Sequence, residues 1–217
     1  MKREHLFFDL DGTLTDSMLG ITKATQYALK RYGIDVEDLN ELRPFVGPPL
    51  HESFMKYYNF NEKDAQDAIL VFREYYNETG WLENVPYEGI ESVLQELIAC
   101  GKKLYVATSK PEWMAKRVLD HFGLSVYFTF IGGADDAEAR VKKGDVIQYV
   151  LDQCNLNDKG SIVMIGDREH DIIGAHKKGI DAVGVLYGYG DREEMEQIQA
   201  DWITETPATL LALLKSM

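Results

Sequence analysis

The fold is decided near the start of the chain, where residues 6–14 read LFFDLDGTL. The apolar and aromatic run from His5 to Phe8 ends abruptly in a polar turn, Asp9-Leu10-Asp11-Gly12-Thr13. A short apolar run that is closed by a polar, glycine-containing turn is typical of a buried strand. We therefore predict that the chain begins with a sheet strand, and that Asp9 and Asp11 lie at its carboxyl end.

The chain between this strand and the next one is helical in pattern. Turn signals separate helical segments from about Leu19 to Trp81, and the next comparable strand is Lys103 to Ala107. A block of helices inserted after a first strand predicts a second, smaller domain. Beyond it, strands and helices alternate, and their spacing predicts a parallel sheet covered by helices on both faces. The expected fold class is therefore α/β.

Composition and charge exclude several classes of protein. The 217 residues are 45% apolar, which is enough to bury one good core. The chain has 23 Lys and Arg against 36 Asp and Glu, which gives a net charge of −13. Because so acidic a surface repels phosphate backbones and anionic lipids, we expect no nucleic-acid and no membrane partner. The two cysteines, Cys100 and Cys154, are too few for a disulfide scaffold and fit a reducing compartment. Since no apolar run reaches the roughly 20 residues of a membrane span, a cytoplasmic protein is expected.

Side chains that can carry chemistry collect at the predicted carboxyl ends of separate strands, or just before a helix. They are Asp9, Asp11, Thr108, Ser109, Lys143, Asp167 and Asp171. Parallel strands place their carboxyl ends side by side, and ligands bind there in open α/β sheets. Residues more than 150 positions apart in the sequence should therefore meet in one pocket.

The carboxylates of this set predict a metal ion. Several carboxylates in one small volume repel each other unless a cation lies among them, and hard oxygen ligands suit Mg²⁺. Each Asp could instead cap the helix that follows it. That explanation fails for the whole set, because Asp9 and Asp11 cannot both cap one helix and Asp9 lies too early.

Four motifs carry a resemblance to a known family. They are FFDLDGTL at residues 7–14, Thr108, Lys143 and GDREHD at residues 166–171, in that order. The set resembles the haloacid dehalogenase superfamily of phosphohydrolases, and most of all its phosphoglycolate-phosphatase-like branch. The resemblance covers nearly the whole chain. It implies a Rossmann-like core of residues 1–15 and 86–217, with an α-helical cap inserted after the first strand as residues 16–85.

The resemblance also implies a role for the motif carboxylates. Asp9 is the nucleophile that forms an aspartyl-phosphate, because a carboxylate splits hydrolysis into two easier steps. Asp11 is the general acid and base, so its backbone carbonyl, and not its side chain, would bind the metal. Mg²⁺ is then held by Asp9, Asp11 and Asp167, while Asp171 either ligates the ion or orients its waters.

The other motif residues are expected to contact the substrate. Lys143 and Thr108 offset charge on the phosphoryl oxygens, as a point charge and a hydroxyl donor. Gly12 either lets the backbone approach the phosphate closely, where a Cβ would obstruct it, or is an ordinary turn glycine. Thr13 and Ser109 are further substrate-binding candidates.

Three features have two interpretations each. Arg43, in the proline-containing stretch that ends at Leu50, either binds a substrate carboxylate through a bidentate contact or lies in a solvated turn between helices. Arg168 either donates to the phosphate or pairs with acidic neighbours such as Glu169. The run Tyr187 to Gly190 either borders the site or is a turn with exposed tyrosines.

Together these observations predict a Mg²⁺-dependent phosphatase that acts on a small phosphorylated metabolite, phosphoglycolate-like or a nucleoside monophosphate. Asp11 supports phosphoryl transfer, because the dehalogenases of the superfamily lack an acid at that position. A phosphomutase of the β-phosphoglucomutase type, a non-enzymatic sensor of phosphorylated metabolites and a nonspecific scavenger phosphatase are the alternatives. A monomer or weak dimer is expected.

Overall fold

The computed structural model describes residues 2–135 and 140–217. The chain divides into two compact units. The larger comprises Met1–Thr15 and Pro86–Met217, and the smaller comprises Asp16–Val85. Within the described ranges, no helix combines the length and apolar character that a membrane span requires.

Strands and helices alternate through the larger unit, whereas the smaller unit is mainly helical. The strands among the described residues are β1 (His5–Phe8), β2 (Thr15–Asp16), β3 (Val85–Pro86), β4 (Lys103–Pro111), β5 (Phe128–Ala134), β6 (Ile162–Gly166), β7 (Asp181–Val185) and β8 (Trp202–Thr204). The α-helices are α1 (Met18–Arg31), α2 (Leu50–Tyr58), α3 (Glu62–Glu78), α4 (Ile90–Ala99), α5 (Glu112–His121), α6 (Lys143–Gln153), α7 (Glu169–His176), α8 (Arg192–Gln197) and α9 (Pro207–Ser216). Short 3-10 helices cover Leu39–Phe45, Gly80–Leu82, Ser125–Tyr127 and Lys159–Ser161.

Six strands form one sheet in the order β5-β4-β1-β6-β7-β8, and every neighbouring pair is parallel. The first strand is thus central, with β4 on one side and β6 on the other. Phe8 is level with Val106 and with Ile165 in the ladders. The residues after these three positions therefore leave the sheet at one edge, where the strand order reverses and where ligands bind in such folds.

The sheet is buried on both faces, as expected for parallel strands that are covered by helices. Leu6, Phe7 and Phe8 are all fully buried although alternate side chains point to opposite faces. On one face, Phe7 and Met164 pack with apolar residues of α6 and α7. The predicted α/β fold class, with a Rossmann-like parallel sheet, is confirmed.

The structure corrects two of the element boundaries that the sequence predicts. The strand expected to end at Ala107 runs on to Pro111, so Pro111 ends β4 and α5 begins after it at Glu112. Lys143, which the sequence places just before a helix, lies within that helix. The boundary shift matters chemically, because it makes this lysine the first residue of α6.

The smaller unit has an aromatic and aliphatic core of its own. Phe45 packs against Phe54 with ring centroids 5.0 Å apart, and Phe54 stacks on Phe60 at 5.6 Å. Phe72 and Tyr76 of α3 are buried as well. Phe45, Phe54, Phe72 and Tyr76 are therefore packed into the interior of this unit.

Candidate active site

Asp9 follows the central strand and is held by both its backbone and its side chain. Its N–H donates to the carbonyl of Ile165 at 2.9 Å, which continues the ladder between β1 and β6 by one residue. Its Oδ1 accepts the N–H of Leu10 at 2.7 Å. The residue is only 6% exposed. The sheet thus fixes the Asp9 side chain at the edge where the parallel strands have their carboxyl ends.

Lys143 joins two of the predicted carboxylates. Its Nζ lies 2.7 Å from Asp9 Oδ1 and 2.8 Å from Asp171 Oδ1, and it donates to the carbonyl of Ala107 at 3.1 Å. The side chain enters the interior because the residue opens α6, which packs against α7 and β4. An ammonium group so placed links three separate segments, which are the turn after β1, β4 and α7.

Asp167 completes a group of three acids. Ligand oxygens of Asp9, Asp167 and Asp171 all lie within 4.8 Å of one another. Asp167 is fully buried and accepts hydrogen bonds from two neutral donors, the hydroxyl of Thr13 at 3.0 Å and the N–H of Tyr189 at 2.9 Å. Its neighbour Asp171 also caps α7, since it accepts the N–H of Arg168 at 3.1 Å.

Burial and mutual repulsion disfavour the ionised form of these acids. Burial raises the pKa of Asp9 to about 6, although Lys143 opposes the shift. Burial, with repulsion from Asp171 and Asp9, raises the pKa of Asp167 well above its usual range. Burial alone would lower the pKa of Lys143, but Asp171 and Asp9 outweigh it and the pKa is raised. With three carboxylates around one ammonium group, the donor set fits a divalent cation.

Gly12 makes the close approach between the first turn and Asp167 possible. Its φ is +84°, a region that favours glycine. A Cβ at this position would lie 2.1 Å from Asp167 Oδ2. Both observations require glycine here for the packing of the acidic group, and its predicted approach to a phosphate remains a prediction.

The carboxylate of Asp11 is directed to a different lysine. Lys110 Nζ lies 2.7 Å from Asp11 Oδ2 and 3.0 Å from Oδ1, and both residues are 8% exposed. The prediction of the site from sequence missed Lys110. The signal is nevertheless present, because this lysine follows Thr108 and Ser109 at the carboxyl end of β4.

The remaining candidates occupy different surroundings. Thr108 is buried in β4 and its Oγ1 accepts the N–H of Lys110 at 3.3 Å, while Ser109 beside it is half-buried. Arg168 Nε lies 3.1 Å from Glu194 Oε1, so it pairs with an acidic residue. Arg43 is exposed in the smaller unit. The substrate contacts of Thr13, Thr108, Ser109 and Arg43 remain predictions.

The sequence of the chain matches a protein-family model. Residues 6–185 match the model described as haloacid dehalogenase-like hydrolase, a range that includes every core motif. The chain belongs to the haloacid dehalogenase-like hydrolase family. The predicted recognition is confirmed, and the chain is an enzyme of the hydrolase class.

Individual family members match the chain along its length. A 5′-nucleotidase of Pseudomonas aeruginosa is 40% identical over 216 residues, with 100% of this chain and 97% of the relative covered. A phosphoglycolate phosphatase of Colwellia psychrerythraea is 30% identical, with 99% and 98% covered. The tyrosine-protein kinase PtkA of Mycobacterium tuberculosis is 40% identical over 95% of this chain and 67% of its own length. A crystal structure described as a predicted phosphatase from Clostridium acetobutylicum is 43% identical, covers 100% of both chains and has a TM-score of 0.98.

The pair formed by Asp11 and Lys110 predicts a particular pattern of stability in this family member. In metal-free protein, we expect Lys110→Met to lower the free energy of unfolding by about 3 kcal/mol or more, because it leaves a buried carboxylate without its partner. The double variant with Asp11→Asn should regain most of that loss, as measured by urea unfolding.

A surface pair provides the control for this measurement. Lys116 lies 2.6 Å from Glu112 with half of its side chain exposed, so Lys116→Met should cost only about 0.5 kcal/mol. If the double variant loses as much free energy of unfolding as Lys110→Met and Asp11→Asn lose together, the pairing is contradicted.

Proposed function

We propose that the protein is a Mg²⁺-dependent phosphatase that hydrolyses a small phosphorylated metabolite through an aspartyl-phosphate on Asp9. One observation carries the proposal. Asp9 lies at the end of the central strand in a buried group with Lys143, Asp167 and Asp171, while Asp11, two residues later, is paired separately with Lys110.

The first half-reaction uses Asp9 as the nucleophile. A carboxylate oxygen of Asp9 forms a bond to phosphorus as the bond to the substrate oxygen breaks, and Asp11 transfers a proton to that leaving oxygen. In the second half-reaction a water oxygen attacks the phosphorus and gives its proton to Asp11. The bond to Asp9 then breaks, phosphate leaves, and both aspartates return to their starting forms.

The two roles require different environments for the two aspartates. A carboxylate that ligates a cation cannot easily exchange protons with a substrate, so the acid and base must stay off the metal. Lys110 holds both oxygens of Asp11 at 2.7 and 3.0 Å. Because this contact engages the side chain, it supports the assignment of the Asp11 backbone carbonyl, and not the carboxylate, to metal binding.

The residues that would hold Mg²⁺ are Asp9, Asp167 and the Asp11 carbonyl, with Asp171 as ligand or as partner of the metal waters. When bound, the ion supplies positive charge against the charge that develops on the phosphoryl oxygens. Lys143 adds a fixed charge and Thr108 a hydroxyl donor on the same oxygens. These local charges admit an anionic substrate to a protein with a net charge of −13.

The substrate class follows from the relatives together with the site. Two relatives that match along nearly their full length are named 5′-nucleotidase and phosphoglycolate phosphatase, and nucleoside 5′-monophosphates and phosphoglycolate are both small phosphoric monoesters. We therefore propose a nucleoside monophosphate or a phosphoglycolate-like metabolite as the substrate. A screen of phosphate release over about a hundred metabolites at neutral pH tests this proposal, with EDTA as the metal-free arm.

Asp9→Asn tests the nucleophile. We expect turnover of the best substrate to fall by about four orders of magnitude or more, because an amide cannot form the acyl phosphate, while circular dichroism and the melting temperature still report a folded protein. Asp152→Asn, an exposed change on α6, is the matched control and should retain activity. Substantial phosphate release by Asp9→Asn would remove this residue as nucleophile.

Protons and Mg²⁺ should compete for the same carboxylates. Because the pKa of Asp9 is raised from 3.8 to about 6 without metal, its contribution to metal-free stability is complete below about pH 3.8 and is lost as the pH rises through about 6. Mg²⁺ at a hundred times its dissociation constant should add about 2.7 kcal/mol of stability at pH 7.5. The gain at pH 5 should be smaller, and an equal rise in melting temperature at both pH values would count against this site.

Arg43→Ala tests the proposed recognition of a second anionic group. We expect KM to rise about tenfold for substrates that carry a carboxylate, since a charge-assisted hydrogen bond contributes about 1.5 kcal/mol or more, and to change little for those without one. Arg31→Ala, which removes an exposed arginine of α1 that pairs with Glu74, is the control. A uniform rise in KM across all substrates would refute the specificity role.

The similarity to PtkA favours a second candidate, transfer of the phosphoryl group to a tyrosine hydroxyl. It would use the same aspartyl-phosphate, but ATP would be the phosphoryl donor, with ADP as the leaving group, and a tyrosine hydroxyl would replace water as the acceptor. Incubation with labelled ATP, followed by a test for alkali-stable phosphotyrosine on the protein, distinguishes it from hydrolysis. Conversion of β-glucose 1-phosphate to glucose 6-phosphate without free phosphate would instead indicate the phosphomutase.

A further inference from the structure

The loop after β7 has a sequence that neither the motifs nor the proposed reaction uses. It reads LYGYG, residues 186–190, and we call it the YG loop. We propose that Tyr187 and the YG loop are positioning elements that fix the orientation of the metal ligand Asp167. The inference rests on the proposed function in one respect, namely that Asp167 binds a cation.

The YG loop contacts Asp167 directly through its backbone. The N–H of Tyr189 donates to Asp167 Oδ2 at 2.9 Å, while the hydroxyl of Thr13 donates to Oδ1 at 3.0 Å. The two donors belong to different segments, the YG loop and the turn after β1. Each carboxylate oxygen is therefore oriented by its own partner, which sets the plane of the carboxylate.

Tyr187 ties those two segments to each other. Its hydroxyl donates to the backbone carbonyl of Thr13 at 3.1 Å. The contacts therefore form a closed circuit that runs from the YG loop to Asp167, on to Thr13 and back to Tyr187. In such a circuit the loss of one bond loosens the geometry of the others.

A second tyrosine supports the ring of Tyr187. Tyr87 packs edge-on against it, with ring centroids 5.0 Å apart and planes at 68°. The N–H of Tyr87 donates to the carbonyl of Leu14 at 3.1 Å, next to Thr13. The phenol therefore has packing on its face as well as a fixed acceptor, which restricts it to one orientation.

The YG loop lies too close to Asp167 to carry side chains at its glycines. A Cβ at Gly188 would lie 2.2 Å from the carbonyl oxygen of Gly12 and 2.4 Å from Asp167 Cβ. A Cβ at Gly190 would lie 2.1 Å from the backbone oxygen of Asp167. Close packing of backbone on backbone transmits any displacement of the loop to the carboxylate.

Orientation of this kind affects the metal more than the fold. Partners behind a metal ligand fix its geometry before the ion arrives, and their removal typically weakens metal binding about 10- to 100-fold. A bond whose only role is to hold the loop in place would change the melting temperature and leave metal affinity unchanged. The two roles therefore predict different measurements.

Tyr187→Phe tests the inference, with Mn²⁺ as the probe and the full chain without substrate. The phenylalanine keeps the ring packed on Tyr87 and removes only the hydroxyl. We expect the dissociation constant for Mn²⁺, measured by electron paramagnetic resonance, to rise about tenfold. Where phosphatase activity is present, the Mg²⁺ concentration for half-maximal rate should rise by the same factor, with kcat at saturating Mg²⁺ nearly unchanged.

Tyr32→Phe is the matched control. The Tyr32 hydroxyl also donates to a backbone carbonyl at 3.1 Å, that of Asp64 in the smaller unit, so this variant loses the same kind of bond away from the acidic group. Mn²⁺ affinity should not change in this control. Gly188→Ala is an independent second variant, and it should weaken Mn²⁺ binding at least as much as Tyr187→Phe.

The outcomes separate this inference from the proposed function. Wild-type Mn²⁺ affinity in folded Tyr187→Phe and Gly188→Ala would overturn the positioning role. Weaker Mn²⁺ binding in both variants, with no phosphatase activity in the wild type, would support the positioning role and refute the proposed function. A wild-type protein that binds no Mn²⁺ would overturn both.

Discussion

The site depends on one ammonium group placed among buried acids. Lys143 Nζ contacts Asp9 and Asp171 at 2.7 and 2.8 Å, with only 4% of its side chain exposed. Carboxylates removed from water repel each other and lose their hydration, so the group would be strongly unfavourable without a cation. Lys143 stabilises part of that charge and leaves an excess of negative charge. The fold thereby builds a place where a second cation is favourable before any ligand arrives.

The sheet topology delivers the charges to that place. Because β1 lies between β4 and β6, residues that follow three distant parts of the sequence meet at one edge. The helices then add two further charged side chains to the site. Lys143 enters from the first turn of α6, and Asp171 from the first turn of α7. Each charged residue is thus held by a short, regular element, which gives the site a fixed geometry without a metal ion.

Much of the fold and of the acidic group can be predicted from the sequence. The parts that cannot be predicted have physical reasons. An apolar run that stops at an acid marks a strand end regardless of tertiary contacts, which is why Asp9 and Asp167 could be placed. Lys110 was missed because its sequence position does not show which carboxylate its side chain meets. The contacts of the YG loop with Asp167 are not predictable in the same way, because they use a backbone N–H and glycines, which side-chain chemistry does not signal. For Arg168, acidic residues stood nearby, but Glu194 is 26 positions away along the chain.

The comparison of Lys110 and Lys143 shows how two lysines give different surroundings to two aspartates that lie two positions apart. Lys110 lies against Asp11, so the negative charge of that carboxylate is offset by a neighbouring ammonium group. Lys143 is shared by carboxylates that outnumber it, so those acids keep an excess of negative charge that favours a metal ion. The sequence alone presents Asp9 and Asp11 as equivalent acids on one turn. Their different partners distinguish two acids that the sequence presents alike, one in an acidic group that shares a lysine and one paired with a different lysine.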